Sequence, residues 1–449
     1  MLQKQVFKSY DIRGIYPDEL DDAGAYEIGQ IFLSLICKRS GKKPEDLKIF
    51  IARDIRNSSE NLCKSIIDSL VSKGVNIYDA GLVSVDVIYF AVGRYDYDGG
   101  IMVTASHNPG AYGGFKMVSS GVEWVRGGDL WKHREEMVNF PDKVGTVEQV
   151  DIWEDYLDHI FSFVDVSKIK KLKVVVDSGN GMAGIMIPKI LERLPQIELI
   201  PLFFEPDGNF PNRNPNPLGD GAYQKLSEKV VLESADVGFI YDADSDRVFL
   251  VDEKGKFLPG DDVLLVLAKQ IIERNPGAGI VYNLVSSKNV KEFVEKNGGR
   301  AIRSEVGYVN MGVHMKEENC IMGGEISAHF SYAKNYYSDS GYISFLIILE
   351  AMSEEGFKLS EFIKANKHWH RFPEIVLPAD NMEKMLDNIR NHYKENIFDE
   401  IDGITVEFPN WWFNVRGSNT EPILKVTLEV LYEEDYERRK NEVLNVLNL

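Results

Sequence analysis

Short apolar runs alternate with polar, glycine- or aspartate-rich loops along most of this chain. Residues 48–52 (Lys-Ile-Phe-Ile-Ala), 75–78 and 101–103 read as buried strands. Residues 59–72 repeat with a helical period that puts Leu62, Ile66, Ile67 and Leu70 on one face, and residues 83–92 predict a second helix. This is a βαβ series on a parallel sheet. The pattern returns with a strand at 173–177 that runs into Ser178-Gly179-Asn180-Gly181. A helix through Ile185, Ile190 and Leu194 follows, then strands at 198–204 and 236–241. A third round comprises helix 261–274, strand 279–284, helix 288–296, and strands 300–303 and 320–322. Each round delivers an apolar strand into a polar loop, which predicts three related α/β domains.

Helices at 340–353 and 359–365 close the third domain, and the apolar run 343–349 predicts a buried helix. Arg371-Phe372-Pro373 reads as a linker. Beyond it the pattern changes. A strand at 374–377, a helix at 382–396, strands at 404–408, 411–415 and 423–431, and a helix at 434–447 predict a small α+β domain. Punctuation by Pro and Gly near 141–145 and 253–259 completes a four-domain division: 1–145, 146–255, 256–368 and 369–449. The second of these breaks reads as a hairpin leading out of domain two.

Charge narrows the choice of partners. The 449 residues carry a formal net charge of −19, which argues against a nucleic-acid or anionic-membrane surface. Any phosphate site must therefore be local, built from a few cations, backbone amides or a metal. Cys37, Cys63 and Cys320 are odd in number and scattered, with neither metal-ligand spacing nor a disulfide framework, as a reducing cytoplasm allows. Met1-Leu2-Gln3-Lys4 lacks an apolar signal segment, and no apolar run approaches the roughly 20 residues of a membrane helix. A cytoplasmic protein with no membrane or nucleic-acid partner is expected.

Four loops carry candidate chemistry. Thr104-Ala105-Ser106-His107-Asn108-Pro109 follows the strand at 101–103, so Ser106 is expected on a tight loop at a strand end, as a nucleophile or phosphate carrier. Taken alone, the same residues make an Asn-Pro turn with a solvent serine. Asp242-Ala243-Asp244-Ser245-Asp246-Arg247 is the strongest signal. Alternating carboxylates place hard oxygens on one turn, which suits Mg²⁺ or Ca²⁺, and without a cation three like charges would destabilise it. An EF-hand is excluded because Arg247 stands where glycine is required and strands flank the loop. A solvated acidic turn, or a haloacid-dehalogenase-type phosphatase with Asp242 as nucleophile, are the other readings. Gly323 to His329 spaces Glu325 and Ser327 to face one side and grip vicinal hydroxyls, or forms a plain glycine-rich turn. Arg416-Gly417-Ser418-Asn419-Thr420 combines a forked guanidinium with short donors, as in an anion nest or a hairpin turn. Arg13, before Gly14, is an anion contact or a surface charge. The proline-rich run from Glu205 to Pro217 predicts a rigid loop near a cleft.

With these loops in this order, the chain resembles the α-D-phosphohexomutase superfamily over essentially its whole length, and within it the phosphomannomutase/phosphoglucomutase group. The motifs are Tyr10-Asp11-Ile12-Arg13-Gly14, Thr104 to Pro109, Gly113-Gly114-Phe115-Lys116, Asp242 to Arg247, Gly324 to His329, and Arg416 to Pro422. The resemblance implies three related α/β mixed-sheet domains plus a C-terminal α+β domain, four in a heart shape around a central active site. It implies a phosphohexose mutase that interconverts 1- and 6-phosphates of mannose or glucose through a phosphoserine at Ser106 and a 1,6-bisphosphosugar. Glucose or mannose 1,6-bisphosphate would act as activator. Asp242, Asp244 and Asp246, with a phosphoserine oxygen, would hold Mg²⁺. Tyr10, Glu325 and Ser327 would contact the sugar, and Arg416, Ser418, Asn419 and Thr420 the remote phosphate. Arg13, His107, Lys116 and Arg247 would line the transfer site, with Lys116 and His329 assisting proton transfer. A monomer or dimer acting on hexose phosphates is implied. Glu305 and Tyr308 depart from the family, which often has lysine and histidine there. Ile326 matches the glucose/mannose group, and phosphoglucosamine mutase is the alternative, ahead of an aspartyl-type sugar phosphatase or a non-catalytic sugar-phosphate sensor, the last suggested by Glu305.

Overall fold

The computed structural model describes residues 2–379, 381–417 and 423–448. The chain forms two compact units, one of Met1–Leu267 with Ser327–Ser360, the other of Ala268–Ile326 with Glu361–Leu449.

Two sheets lie wholly within the first unit. Strands β1 (Ile12–Ile15), β2 (Lys48–Arg53), β3 (Asn76–Leu82), β4 (Gly99–Val103), β5 (Tyr112–Ser119), β6 (Glu123–Trp124) and β7 (Thr146–Gln149) form the first, in the order β1-β5-β4-β2-β3-β7 with β6 on β5. Its β4-β2-β3-β7 portion is parallel, as the βαβ pattern predicts, but β5 and β1 add antiparallel strands beside β4. Residues 112–119 therefore form a strand that the sequence analysis had only as a motif. Gly114 permits the close β1–β5 approach: a Cβ there would fall 2.1 Å from the Ile12 carbonyl oxygen. A helix at Asp22–Ser40 was also passed over. Asp21 caps it, accepting from the Gly24 N–H at 2.7 Å, and Gly41 ends it in the left-handed region at φ 70°.

The second sheet runs β12-β11-β10-β8-β9, from β8 (Leu172–Asp177), β9 (Ile197–Leu202), β10 (Val237–Tyr241), β11 (Val248–Val251) and β12 (Phe257–Leu258). The β11–β12 pair is the hairpin expected near Glu253. Helix Gly341–Glu355 is capped by Ser340 and ends at Gly356. It is apolar nearly all round because it is covered on every side. Phe345 meets Phe239 edge-on at 4.7 Å, and Tyr342 stacks on Tyr241 at 5.5 Å.

In the second unit, β13 (Gly279–Asn283) lies between β14 (Arg300–Ser304) and β15 (Met322–Gly324), all parallel. Strands β16 (Phe330–Tyr332) and β17 (Ser338–Asp339) form an antiparallel pair in the first unit. Strands β18 (His370–Arg371), β19 (Ile375–Pro378), β20 (Ile397–Asp399), β21 (Ile404–Phe408), β22 (Trp411–Gly417) and β23 (Ile423–Val430) make the last sheet, antiparallel throughout. Two helices, Met382–His392 and Tyr436–Leu447, pack against it, the α+β pattern expected. Among the described residues no helix is long and apolar enough to cross a membrane.

Candidate active site

Strand order decides which side chains meet in the first unit. Lys116 on β5 sits opposite Met102 on β4, and Arg13 on β1 sits opposite Gly114 on β5. The Ser106 loop leaves the end of β4. Ser106 itself is buried, with φ 51°, a left-handed conformation that non-glycine residues adopt only when held. Its N–H donates to Thr104 Oγ1 at 2.9 Å, and its Oγ lies 3.1 Å from His107 Nδ1. Arg13 donates to Asn108 Oδ1 at 2.7 Å while Asp11 holds the rest of its guanidinium.

The acidic loop joins β10 to β11. Asp242, Asp244 and Asp246 are fully buried, and each offers an oxygen within 4.8 Å of the others. Thr104 Oγ1 donates to Asp244 Oδ2 at 3.2 Å, so one hydroxyl links the serine loop to the acidic loop. Lys116 Nζ donates to Asp244 Oδ2 at 2.8 Å and also to Asp246 Oδ2. Arg247 grips Asp242 through Nε at 2.8 Å and its backbone N–H at 3.2 Å. Burial pushes Asp242 up to about 7, with Asp246 and Asp244 adding to the rise against the pull of Arg247. For Asp246 burial acts in the same direction, but Lys116, His329 and Arg247 outweigh it and hold the carboxyl far below the usual range. Burial, then Arg247 and Arg13, push His107 well below the ordinary histidine range.

The trio fits a divalent cation. Among the described residues Asp244 Oδ1 and Asp246 Oδ1 are buried with no hydrogen-bond partner, hard oxygens of the kind such an ion coordinates. Arg247 Nη2 is likewise buried without a hydrogen-bond partner among the described residues, a donor suited to an anion beside the cation. A bridge between Arg247 and His329 brings His329 to this cluster. His329 Nδ1 bonds Asp339 and lies 3.8 Å from Asp246 Oδ2.

The structure thus brings Ser106, His107, Lys116, Arg247, His329 and the three aspartates together, with Arg13 tied on through Asn108. Ser327 is half-buried in the same unit, two residues before His329. The Tyr10 ring lies 5.9 Å from the Arg126 guanidinium carbon. In the second unit, Glu325 accepts from the Gly307 N–H at 3.2 Å, and Glu374 holds Arg416 at 3.0 Å. The unit boundary falls between Ile326 and Ser327. Ser418, Asn419 and Thr420 lie outside the described residues. Glu305, the family departure, pairs with His314, and Tyr308 is buried on helix Tyr308–Glu317.

Three participants escaped the sequence analysis. Arg56 is buried and donates to the carbonyls of Ser106, Asn108 and Pro109. Asp339 orients His329, and Glu374 holds Arg416. Arg56 had a signal, being a cation in the polar loop directly after strand β2. Asp339 and Glu374 had none, since neither lies in one of the four loops that carry candidate chemistry.

Residues 4–126, 154–255 and 259–371 match, in turn, the family descriptions of phosphoglucomutase/phosphomannomutase α/β/α domains I, II and III. The chain is 35% identical over 445 residues to a phosphomannomutase of Vibrio cholerae, covering 96% of this chain and 95% of that protein. It is 34% identical over 453 residues to a phosphomannomutase/phosphoglucomutase of Pseudomonas aeruginosa, covering 99% and 96%. A crystal structure of a phosphoglucomutase/phosphomannomutase family protein from Burkholderia thailandensis superposes with a TM-score of 0.89 at 30% identity, over 100% of this chain and 98% of that one. A Paramecium phosphoglucomutase in its open form shares the fold, with a TM-score of 0.81 at 16% identity over 99% and 95%.

Proposed function

The chain belongs to the phosphoglucomutase/phosphomannomutase family, and from that premise we propose that this phosphohexose mutase shuttles a phosphoryl group between O1 and O6 of mannose or glucose by way of Ser106. The observation that carries the reading is the Thr104 hydroxyl, which accepts from the Ser106 N–H and donates to Asp244, tying the phosphoryl carrier to the acidic trio.

Ser106 carries the phosphoryl group, which passes to the free sugar hydroxyl to give a 1,6-bisphosphosugar. The P–O bond to Ser106 Oγ breaks as the bond to the sugar oxygen forms. His329 takes the proton of the attacking hydroxyl and Lys116 returns one to Ser106 Oγ. Asp339 holds His329 Nδ1, so the acid–base work falls to Nε2. Arg247 and Arg13 neutralise the moving group. Asp242, Asp244 and Asp246, with a phosphoserine oxygen, would hold Mg²⁺, which when bound supplies further charge neutralisation. After the bisphosphate turns over, its other phosphate returns to Ser106. Arg416, with Ser418, Asn419 and Thr420, then cradles the remote phosphate at either end of the sugar, and Glu325 and Ser327 hold its O3 and O4. A phosphatase acting through Asp242 fits less well, because Arg247 engages both oxygens of that carboxylate.

The test supplies purified protein with Mg²⁺, a trace of glucose 1,6-bisphosphate and, separately, the 1-phosphates of mannose, glucose, glucosamine and N-acetylglucosamine. Conversion of mannose or glucose 1-phosphate to the 6-phosphate is expected. Undiminished activity in Ser106→Ala, or steady release of inorganic phosphate instead, would sink the reading.

A further inference from the structure

The run Glu205-Pro206-Asp207-Gly208-Asn209-Phe210-Pro211 reads in the sequence as part of a rigid loop near a cleft, with no chemistry assigned to it. In the fold it packs against the serine loop, and just beyond it Arg213 reaches the end of strand β10, next to the acidic loop. Phe210, 6% exposed, lies with its ring centroid 5.1 Å from the Arg56 guanidinium carbon. That guanidinium donates to Asn108 O at 2.6 Å, to Pro109 O at 2.9 Å and to the carbonyl of Ser106. The backbones are in contact here. A Cβ on Gly110 would fall 2.5 Å from Gly208 O, and one on Gly208 would fall 2.7 Å from Asn57 N. Asn57 Nδ2 donates to Asn209 Oδ1 at 2.9 Å. Three residues past Phe210, Arg213 donates to Asp177 Oδ1 at 2.8 Å and to the carbonyl of Tyr241 at 2.6 Å. Tyr241 immediately precedes Asp242. The run is stiff: Asp207 Oδ1 accepts from the Asn209 N–H at 2.8 Å, and prolines stand at 206, 211, 215 and 217.

We infer that the loop at 205–217 and Arg56 form a brace that sets Ser106 at its working distance from the acidic trio, with Arg56 as a positioning residue for phosphoryl transfer. The physical need is plain. Ser106 sits at a positive φ, which costs free energy unless its surroundings hold it. A planar guanidinium fork can take several carbonyls at once, and a lysine ammonium on its flexible stem cannot reproduce that geometry. Transfer chemistry is sensitive to such placement, since an error near 1 Å costs on the order of 100-fold in rate.

The inference rests on the mutase reading, so wild-type protein is assayed first. A wild type that converts no hexose phosphate would end that reading whatever the brace does. With an active wild type, Arg56→Lys and Phe210→Leu are compared by melting temperature, kcat and KM for mannose 1-phosphate. The single-turnover rate at which glucose 1,6-bisphosphate phosphorylates Ser106 is read by intact mass. For Arg56→Lys we expect kcat and the Ser106 phosphorylation rate to fall together by about 10–100-fold, with KM held within about twofold. Phe210→Leu should show a smaller loss in the same two quantities. A folded Arg56→Lys with wild-type kcat and phosphorylation rate, or a loss confined to KM, would overturn the brace. Should Arg56→Lys not fold, Phe210→Leu decides by the same criteria.

Discussion

Replacing Lys116 with methionine keeps a stem of similar length and deletes one positive charge from the acidic cluster. Its Nζ lies 2.8 Å from Asp244 Oδ2 and also bonds Asp246, and all three side chains are buried. At an effective dielectric near 20, one such pair attracts by about 6 kcal/mol. Desolvation of the ions offsets much of that, and removing one partner of a buried pair costs about 3–5 kcal/mol because the other charge is stranded. For a unit of this size that corresponds to a melting temperature lower by roughly 5–15 °C. A divalent cation at the trio would neutralise the same carboxylates, so the deficit should depend on metal. The assay is thermal melting of wild type and Lys116→Met, each in EDTA and in excess Mg²⁺. The expected result is a large deficit in EDTA that shrinks by about half or more in Mg²⁺, because stabilisation grows with ligand bound to the native state. An equal deficit under both conditions would refute the argument that Lys116 and a metal balance the same charges.

Three further outcomes follow from the geometry. Ser106→Ala should lose mutase turnover by several orders of magnitude while its melting temperature stays within a few degrees, checked by a coupled assay and a melt. Burial raises Asp86 from an ordinary 3.8 to about 6, against hydrogen bonds from Ser340, Ser84 and Tyr156. The folded state therefore holds a proton that the unfolded chain releases, and this contribution, about 3 kcal/mol, is present below pH 3.8 and lost as pH rises through about 6. Asp86→Asn should flatten the pH dependence of the denaturation midpoint over that window, measured by circular dichroism. Glu429 is buried and accepts from Ser287 Oγ, the Lys288 N–H and Trp412 Nε1. Glu429→Gln should destabilise the second unit by about 1–3 kcal/mol, read by tryptophan fluorescence in urea.

Much of the architecture was legible because burial imposes a period on the sequence. The Ser59–Val71 helix, β13 and the β11–β12 hairpin lie where the pattern predicted them. Misses came where the pattern is weak or two-sided. The Asp22–Ser40 helix mixes Gly and Ser into its buried face, so its stripe is blurred although Asp21 and Gly41 bracket it. Strand β5 has two glycines after its first residue and carries a buried lysine, which reads as a loop until the acidic partners on the β10–β11 loop are known.

The chain by itself determined the alternation of strands and helices, the loops that bear chemistry and the residue types within them, because local periodicity and turn chemistry are written in neighbouring positions. Only the tertiary structure decided which distant groups meet. Lys116 neutralises Asp244 across 128 positions, Arg56 holds the backbone of a loop 50 residues on, and Asp339 orients His329 through a hairpin. Buried charges must find partners wherever the fold puts them, and that requirement acts through space rather than along the chain.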